Sequence, residues 1–128
     1  MPLERILVVE DQPELRAIAE LALGEIGGFR VCLCEDGAAA LAAFAGFDPD
    51  LLLLDVVMPG LDGPATLAAL RALPAWRGAP VVFMTGRAGD QEVAGYRALG
   101  AAGVIAKPFD PMSLADEARR IWQEAQAC

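Results

Sequence analysis

The chain contains no histidine and no asparagine, a single serine (Ser113), two threonines (Thr66 and Thr85) and a single lysine (Lys107). Without histidine, Ser-His-Asp and Cys-His arrangements of nucleophilic catalysis are excluded. Cysteine is scarce as well: three residues, an odd number, close no disulfide framework. Cys32 and Cys34, two apart in a strand-like stretch, read as small apolar residues in a reducing compartment. A Cys-x-Cys metal site would have only distant Cys128 to add to them. No apolar stretch approaches the roughly 18 residues of a membrane span. The start Met1-Pro2-Leu3-Glu4-Arg5 lacks the basic and apolar regions of a signal peptide. The expectation is a cytoplasmic protein with no membrane insertion. Ten Lys and Arg against eighteen Asp and Glu give a net charge of −8. That balance argues against direct nucleic-acid contact, because binding a phosphate backbone needs a basic stripe. Neither a G-x-G-x-x-G turn nor a P-loop is present to hold a nucleotide. If chemistry happens here, carboxylates do it.

What the chain does contain is a repeated pattern. Four apolar runs each end on a polar residue: Ile6 to Val9 on Glu10-Asp11, Leu51 to Leu54 on Asp55, Val81 to Met84 on Thr85, and Val104 to Ala106 on Lys107. At 128 residues and 13.4 kDa the chain is the size of one domain, and strand and helix signals alternate five times along it. After Ile6 to Val9, a helix over Pro13 to Ile26 carries apolar Leu15, Ile18, Ala19, Ala22 and Ile26 on its inner face, and Gly27-Gly28 ends it. Phe29 to Cys34 reads as a strand, Gly37 to Phe44 as an alanine-rich helix, and Leu51 to Leu54 as a central strand apolar on both faces. A helix over Pro64 to Leu73, a strand over Pro80 to Met84, a helix over Gln91 to Leu99 and a strand over Val104 to Ala106 follow. In the last helix Asp110 is the expected cap, Pro111 falls in the first turn, and Leu114, Ala118, Ile121 and Ala125 form the inner stripe. Alternation of this kind predicts a doubly wound α/β domain with a parallel sheet. In such sheets ligands sit beyond the carboxyl ends of the strands, so Glu10, Asp11, Asp55, Thr85 and Lys107 converge there. That set suits a divalent cation and a phosphoryl group.

Taken together, Glu10-Asp11, Asp55-Val56-Val57-Met58-Pro59-Gly60 with Asp62-Gly63, Thr85-Gly86 and Lys107-Pro108-Phe109 resemble the receiver domain of a two-component response regulator. The resemblance is to the stand-alone chemotaxis type and covers nearly the whole chain. Each motif is weak by itself, but all four in order, each after a buried strand, make a specific signal. The resemblance implies a flavodoxin-like fold of strand order 2-1-3-4-5, as in chemotaxis receivers. It also implies a single receiver domain over residues 1–128 with no output domain, and a protein that catalyses only its own phosphorylation and dephosphorylation. Asp55 is the expected phosphoacceptor. Glu10, Asp11, Asp55 and the backbone carbonyl of Val57 are the expected ligands of Mg²⁺ or Mn²⁺, Glu10 being one methylene longer than the aspartate more usual there. Lys107, followed by a cis Lys107–Pro108 bond, neutralises phosphoryl oxygens, and Thr85 donates its hydroxyl to one of them. Asp62 reads as a turn or cap residue.

Since the chain has no histidine, the donor is expected on a partner: a sensor histidine kinase or a histidine phosphotransfer protein. It would dock against the first helix, whose outer face carries Glu14, Arg16, Glu20 and Glu25. The downstream protein is unknown, and the chain is expected to be a monomer or weak dimer. Two positions depart from the family pattern. Val104 stands where receivers commonly place a switching aromatic, so output is expected to rest on Thr85 and loop movement. Val57 and Arg87 flank the approach of hydrolytic water without a water-positioning group, so loss of phosphate is expected to be slow. Two alternatives stand beside this reading: a receiver-like interaction module that is not phosphorylated, and a Mg²⁺-dependent aspartyl-phosphate phosphohydrolase. The second calls for an acid two residues past the nucleophile, where Val57 stands.

Overall fold

The computed structural model describes residues 2–127. Five strands, β1 (Arg5–Val9), β2 (Arg30–Cys34), β3 (Leu51–Asp55), β4 (Val81–Thr85) and β5 (Gly103–Ala106), form one parallel sheet of order β2-β1-β3-β4-β5. They alternate with α1 (Pro13–Glu20), α2 (Gly37–Phe47), α3 (Gly63–Arg71), α4 (Asp90–Ala98) and α5 (Leu114–Gln126). The alternation of strand and helix signals predicted this doubly wound α/β layout, and the family resemblance implied its flavodoxin-like strand order.

The four leucines of β3 show why the central strands are uninterrupted apolar runs. Leu51 and Leu53 point into the layer built by Ala19, Leu23, Leu114, Ala118 and Ile121, whereas Leu52 and Leu54 point to Ala40, Phe44, Leu67 and Leu70. Successive side chains of a strand leave opposite faces, so a sheet covered on both sides needs an apolar residue at every position. All four are fully buried, each contributing roughly 1.5–3 kcal/mol by removal from water. The helices start where short acids allow it. Asp36 Oδ1 accepts from Ala39 N–H at 2.8 Å to open α2, and Asp62 Oδ1 from Ala65 N–H at 2.8 Å to open α3. Asp62 is thus a cap, as expected. None of the residues of α4 is buried, and Tyr96 packs on Phe83 of β4 with ring centroids 5.3 Å apart.

Two helices differ from expectation. The first does not run uniformly to Ile26. After Glu20 it widens into a π-helical segment, Leu21–Ile26, marked by Gly27 N–H bonding Ala22 O at 3.1 Å. The chain then turns on Gly28 at φ 77°, with Phe29 N–H returning to Leu23 O at 3.0 Å. The extra residue in that turn rotates the apolar stripe, so Ala22 and Leu23 are buried while Ile26, expected inside, is 47% exposed. The last helix begins at Leu114 rather than at Pro111. Asp110 closes a turn of its own, its Oδ1 accepting from Met112 N–H (2.9 Å) and its carbonyl from Ser113 and Leu114 N–H (3.1 and 3.0 Å). Local bonding of a short acid competes with helix propagation. The predicted stripe holds, with Leu114, Ala118 and Ile121 buried and Ala125 half-buried.

Cys34 is buried and Cys32 half-buried, both as free thiols. Burial, and then the neighbouring Cys32, push the Cys34 thiol up to about 12, so it packs as the small apolar group its position suggested. Cys128 lies outside the described residues.

Candidate functional site

The hydrogen-bond ladder of the sheet runs one residue past several strands and so fixes the backbone from which the polar side chains project. Glu10 N–H bonds Cys34 O at 3.0 Å, Val56 N–H bonds Met84 O at 3.0 Å, and Lys107 N–H bonds Thr85 O at 2.8 Å. Asp55 and Thr85 are themselves the last residues of β3 and β4. One residue of close approach completes the frame. A Cβ on Gly63, the first residue of α3, would lie 2.7 Å from Asp55 O and 2.9 Å from Val56 Cα. Glycine there lets the helix start press directly against the end of β3, and Gly63 N–H bonds Val56 O at 2.9 Å.

On this frame the carboxylates of Glu10, Asp11 and Asp55 converge, one oxygen of each lying within 4.8 Å of the others. Lys107 enters between two of them, its Nζ 2.9 Å from Glu10 Oε1 and 3.2 Å from Asp55 Oδ2. Glu10 and Asp55 are 1% and 3% exposed, while Asp11 is half-buried at the rim. Among the described residues, no donor other than the ammonium reaches either of those two buried oxygens. Burial, and then the Glu10 charge, push the Asp55 carboxyl up to about 7 against the downward pull of Lys107. Burial acts to lower the Lys107 ammonium, but its hydrogen bonds and charge interactions with Glu10 and Asp55 outweigh that and raise it above its ordinary value. Three acids around one ammonium leave buried oxygens with spare lone pairs. That donor set fits a hard divalent cation, which prefers oxygen ligands.

The remaining predicted residues are placed as follows. Thr85 is 5% exposed, and its hydroxyl oxygen accepts from Arg87 N–H at 3.0 Å, leaving its own hydrogen available to donate. Lys107–Pro108 is cis. Val57 follows Asp55 by two residues with its side chain 77% exposed, and Val104 is half-buried in β5. Arg16 departs from expectation. It does not stand free on the outer face of α1, because its Nη1 donates to the carbonyls of both Glu10 and Asp11 at 2.9 and 3.1 Å. Nothing in the apolar periodicity signals this, since the guanidinium sits at the end of a long, flexible stem that reaches well away from its own Cα. Gly63 entered the sequence reading only as part of the Asp62-Gly63 motif, and nothing in that motif signalled its close approach to the end of β3.

A five-stranded doubly wound sheet with a carboxylate triad and a lysine at its carboxyl edge defines the receiver class of α/β domain. Residues 6–119 match the response regulator receiver domain, and the chain belongs to that family. It is 37% identical over 117 residues to the DNA-binding response regulator MtrA of Mycolicibacterium smegmatis, which covers 91% of this chain and 49% of that protein. It is 42% identical over 107 residues to the transcriptional regulatory protein TcrA of Mycobacterium tuberculosis, 83% of this chain and 41% of that one. A third relative, at 38% over 122 residues, is a protein-glutamate methylesterase/protein-glutamine glutaminase of Burkholderia thailandensis, matched over 34% of its length. The chain thus spans half or less of these relatives. Among solved structures it superposes on the chemotaxis protein CheY4 of Vibrio cholerae with a TM-score of 0.84 at 27% identity, covering 93% of this chain and 98% of that one. A response regulator from Chloroflexus aurantiacus gives 0.82 at 28%, covering 96% and 99%. No helix among the described residues is long and apolar enough to cross a membrane.

Proposed function

We propose that the chain is a phosphoacceptor of two-component signalling or a phosphorelay, taking a phosphoryl group onto Asp55 from a phosphohistidine on a sensor kinase or phosphotransfer protein. The observation that carries this reading is the buried Asp55 carboxylate in contact with the chain's sole lysine and next to two further acids. An Asp55 oxygen forms the new P–O bond as the donor P–N bond breaks. The electron pair leaves with the imidazole ring, which takes up a proton from solvent. Lys107 neutralises oxygens of the transferring group and Thr85 donates its hydroxyl to one of them. Glu10, Asp11, Asp55 and the Val57 carbonyl would hold Mg²⁺ or Mn²⁺, which when bound supplies positive charge and orients the phosphoryl oxygens. The chain then catalyses only its own phosphorylation and dephosphorylation. The phosphoryl adds nearly two negative charges, which draw Thr85 and the exposed segment after β4 toward the site and alter the surface offered to a downstream protein. Val104 serves as passive packing in this scheme. With Val57 and Arg87 beside the site, loss of phosphate is slow, and a wild-type lifetime no longer than that of Val57→Asn would contradict that.

The test is incubation with Mg²⁺ and a small acyl phosphate, read by intact mass for wild type and Asp55→Asn. A single hydroxylamine-labile adduct absent from the variant is the expected result. Continued turnover of phosphate esters would indicate a phosphohydrolase, and absence of any adduct an interaction module that is not phosphorylated.

A further inference from the structure

The acid pair that must be aimed at Asp55 sits in the short span where the chain leaves the sheet and has not yet entered α1. Glu10 N–H still belongs to the ladder, and the carbonyl of Gln12 already receives Arg16 N–H of the helix at 3.0 Å. Between those two anchors lie the carbonyls of Glu10 and Asp11, beyond the sheet and short of the helix. Both accept from one atom, Arg16 Nη1, at 2.9 and 3.1 Å. That nitrogen carries two hydrogens, so each carbonyl can receive its own. The Glu10 carboxylate is steadied as well, its Oε2 accepting from Gln12 N–H at 3.1 Å while Oε1 meets Lys107. The guanidinium therefore grips the backbone of the acid pair from behind.

We infer that Arg16 is a positioning residue for the cation site, holding the Glu10-Asp11 backbone so that both carboxylates face Asp55 when a divalent ion binds. The inference rests on the receiver reading above and extends it to a side chain that touches neither metal nor phosphoryl group. It also gives Arg16, which the sequence reading set on the donor-docking face of the first helix, a role at the site. Two effects of the residue oppose each other. Its positive charge near three carboxylates disfavours a bound cation, whereas its grip on their backbone favours one. The sign of the change in affinity on removing it shows which effect wins. Groups that orient metal ligands from behind are worth roughly 10- to 100-fold in metal affinity.

The experiment uses the full chain and two variants. Arg16→Met keeps the stem while removing donors and charge, and Arg16→Lys keeps the charge without the planar fork. Mg²⁺ alone is titrated by calorimetry, and phosphorylation by a small acyl phosphate is followed as a function of Mg²⁺, a donor that needs no protein docking. Arg16→Met is expected to bind Mg²⁺ about tenfold more weakly. Half-saturating Mg²⁺ for phosphorylation should rise in proportion, while the rate at saturating Mg²⁺ changes by less than about twofold; a structural defect would lower that rate too. Arg16→Lys should fall between, and it carries the comparison if Arg16→Met does not fold. Variants that bind Mg²⁺ as tightly as wild type, or more tightly, overturn the inference and leave the receiver reading intact. A wild-type chain that takes up neither Mg²⁺ nor phosphoryl overturns both.

Discussion

At each edge of the sheet one base contacts two acids, in opposite conditions. At the amino-terminal edge Arg5 Nη2 lies 3.7 and 3.6 Å from carboxylate oxygens of Asp48 and Asp50. At the carboxyl edge Lys107 lies 2.9 and 3.2 Å from Glu10 and Asp55. The first cluster is satisfied by its own backbone. Arg5 Nε donates to Asp48 O at 2.8 Å, and Asp50 Oδ2 accepts from the N–H groups of Glu4 and Arg5 at 3.0 and 2.9 Å. Its side chains are 24–50% exposed, so water screens what remains. The second cluster is nearly dry, and two of its carboxylate oxygens meet only the ammonium among the described residues. What marks a site is therefore the coordination left open. Void size is no guide: a cavity of about 390 Å³ bordered by Arg5, Asp50, Arg77 and Trp122 opens at the amino-terminal edge, away from Asp55.

The sharpest way to break the contrast is to remove the base from each cluster. Lys107→Met should destabilise the metal-free protein by on the order of 3 kcal/mol at pH 8, because it leaves two buried carboxylates without a counter-charge. Urea unfolding in EDTA measures this, and a loss under about 1 kcal/mol would show the pair to be as well screened as a surface one. Next in size is the effect of removing the acceptor. Folded Asp55 keeps its proton to about pH 7, whereas an unfolded aspartate releases it near pH 4. The native state thus binds more protons across that window, and its stability falls as pH rises through it. In EDTA, Asp55→Asn should match wild type near pH 4 and gain on it as pH rises toward 8, by at most roughly 1.4 kcal/mol per pH unit. A pH-independent difference would remove the electrostatic account.

Divalent ions should act on one edge only. At ten times its dissociation constant, Mg²⁺ should stabilise wild type by about 1.4 kcal/mol. Thermal melts should show that gain lost in Asp11→Asn and kept in Asp50→Asn; the reverse pattern would put the cation at the wrong end. The smallest effect is expected for Arg5→Met, about 1 kcal/mol or less at any pH, and a loss comparable to that of Lys107→Met would erase the distinction between the edges.

Much of this was legible before the structure, for a physical reason. A buried strand must be apolar at every position, so its first polar residue announces both the strand end and the site, as Asp55 after four leucines does. Such a signal depends on backbone position alone. What stayed hidden depends on things periodicity does not encode. The wider turn at Leu21–Ile26 rotates the stripe by hydrogen-bond choice, with no residue type to mark it, and so exposes Ile26. Asp110, a good cap by type, spends its oxygens on an earlier turn. Arg16 reaches back to Glu10 and Asp11 across a distance that only side-chain rotamers decide. The organisation of the fold was thus readable from chain pattern, whereas the supports of the site required atoms.

Lys107 is the chain's sole lysine among nine arginines. A protein grown with isotope-labelled lysine would therefore give one ammonium signal in a magnetic resonance spectrum, arising from the group between Glu10 and Asp55. The molecule carries its own spectroscopic reporter, placed where cation arrival, phosphoryl transfer and proton release would each change that single line.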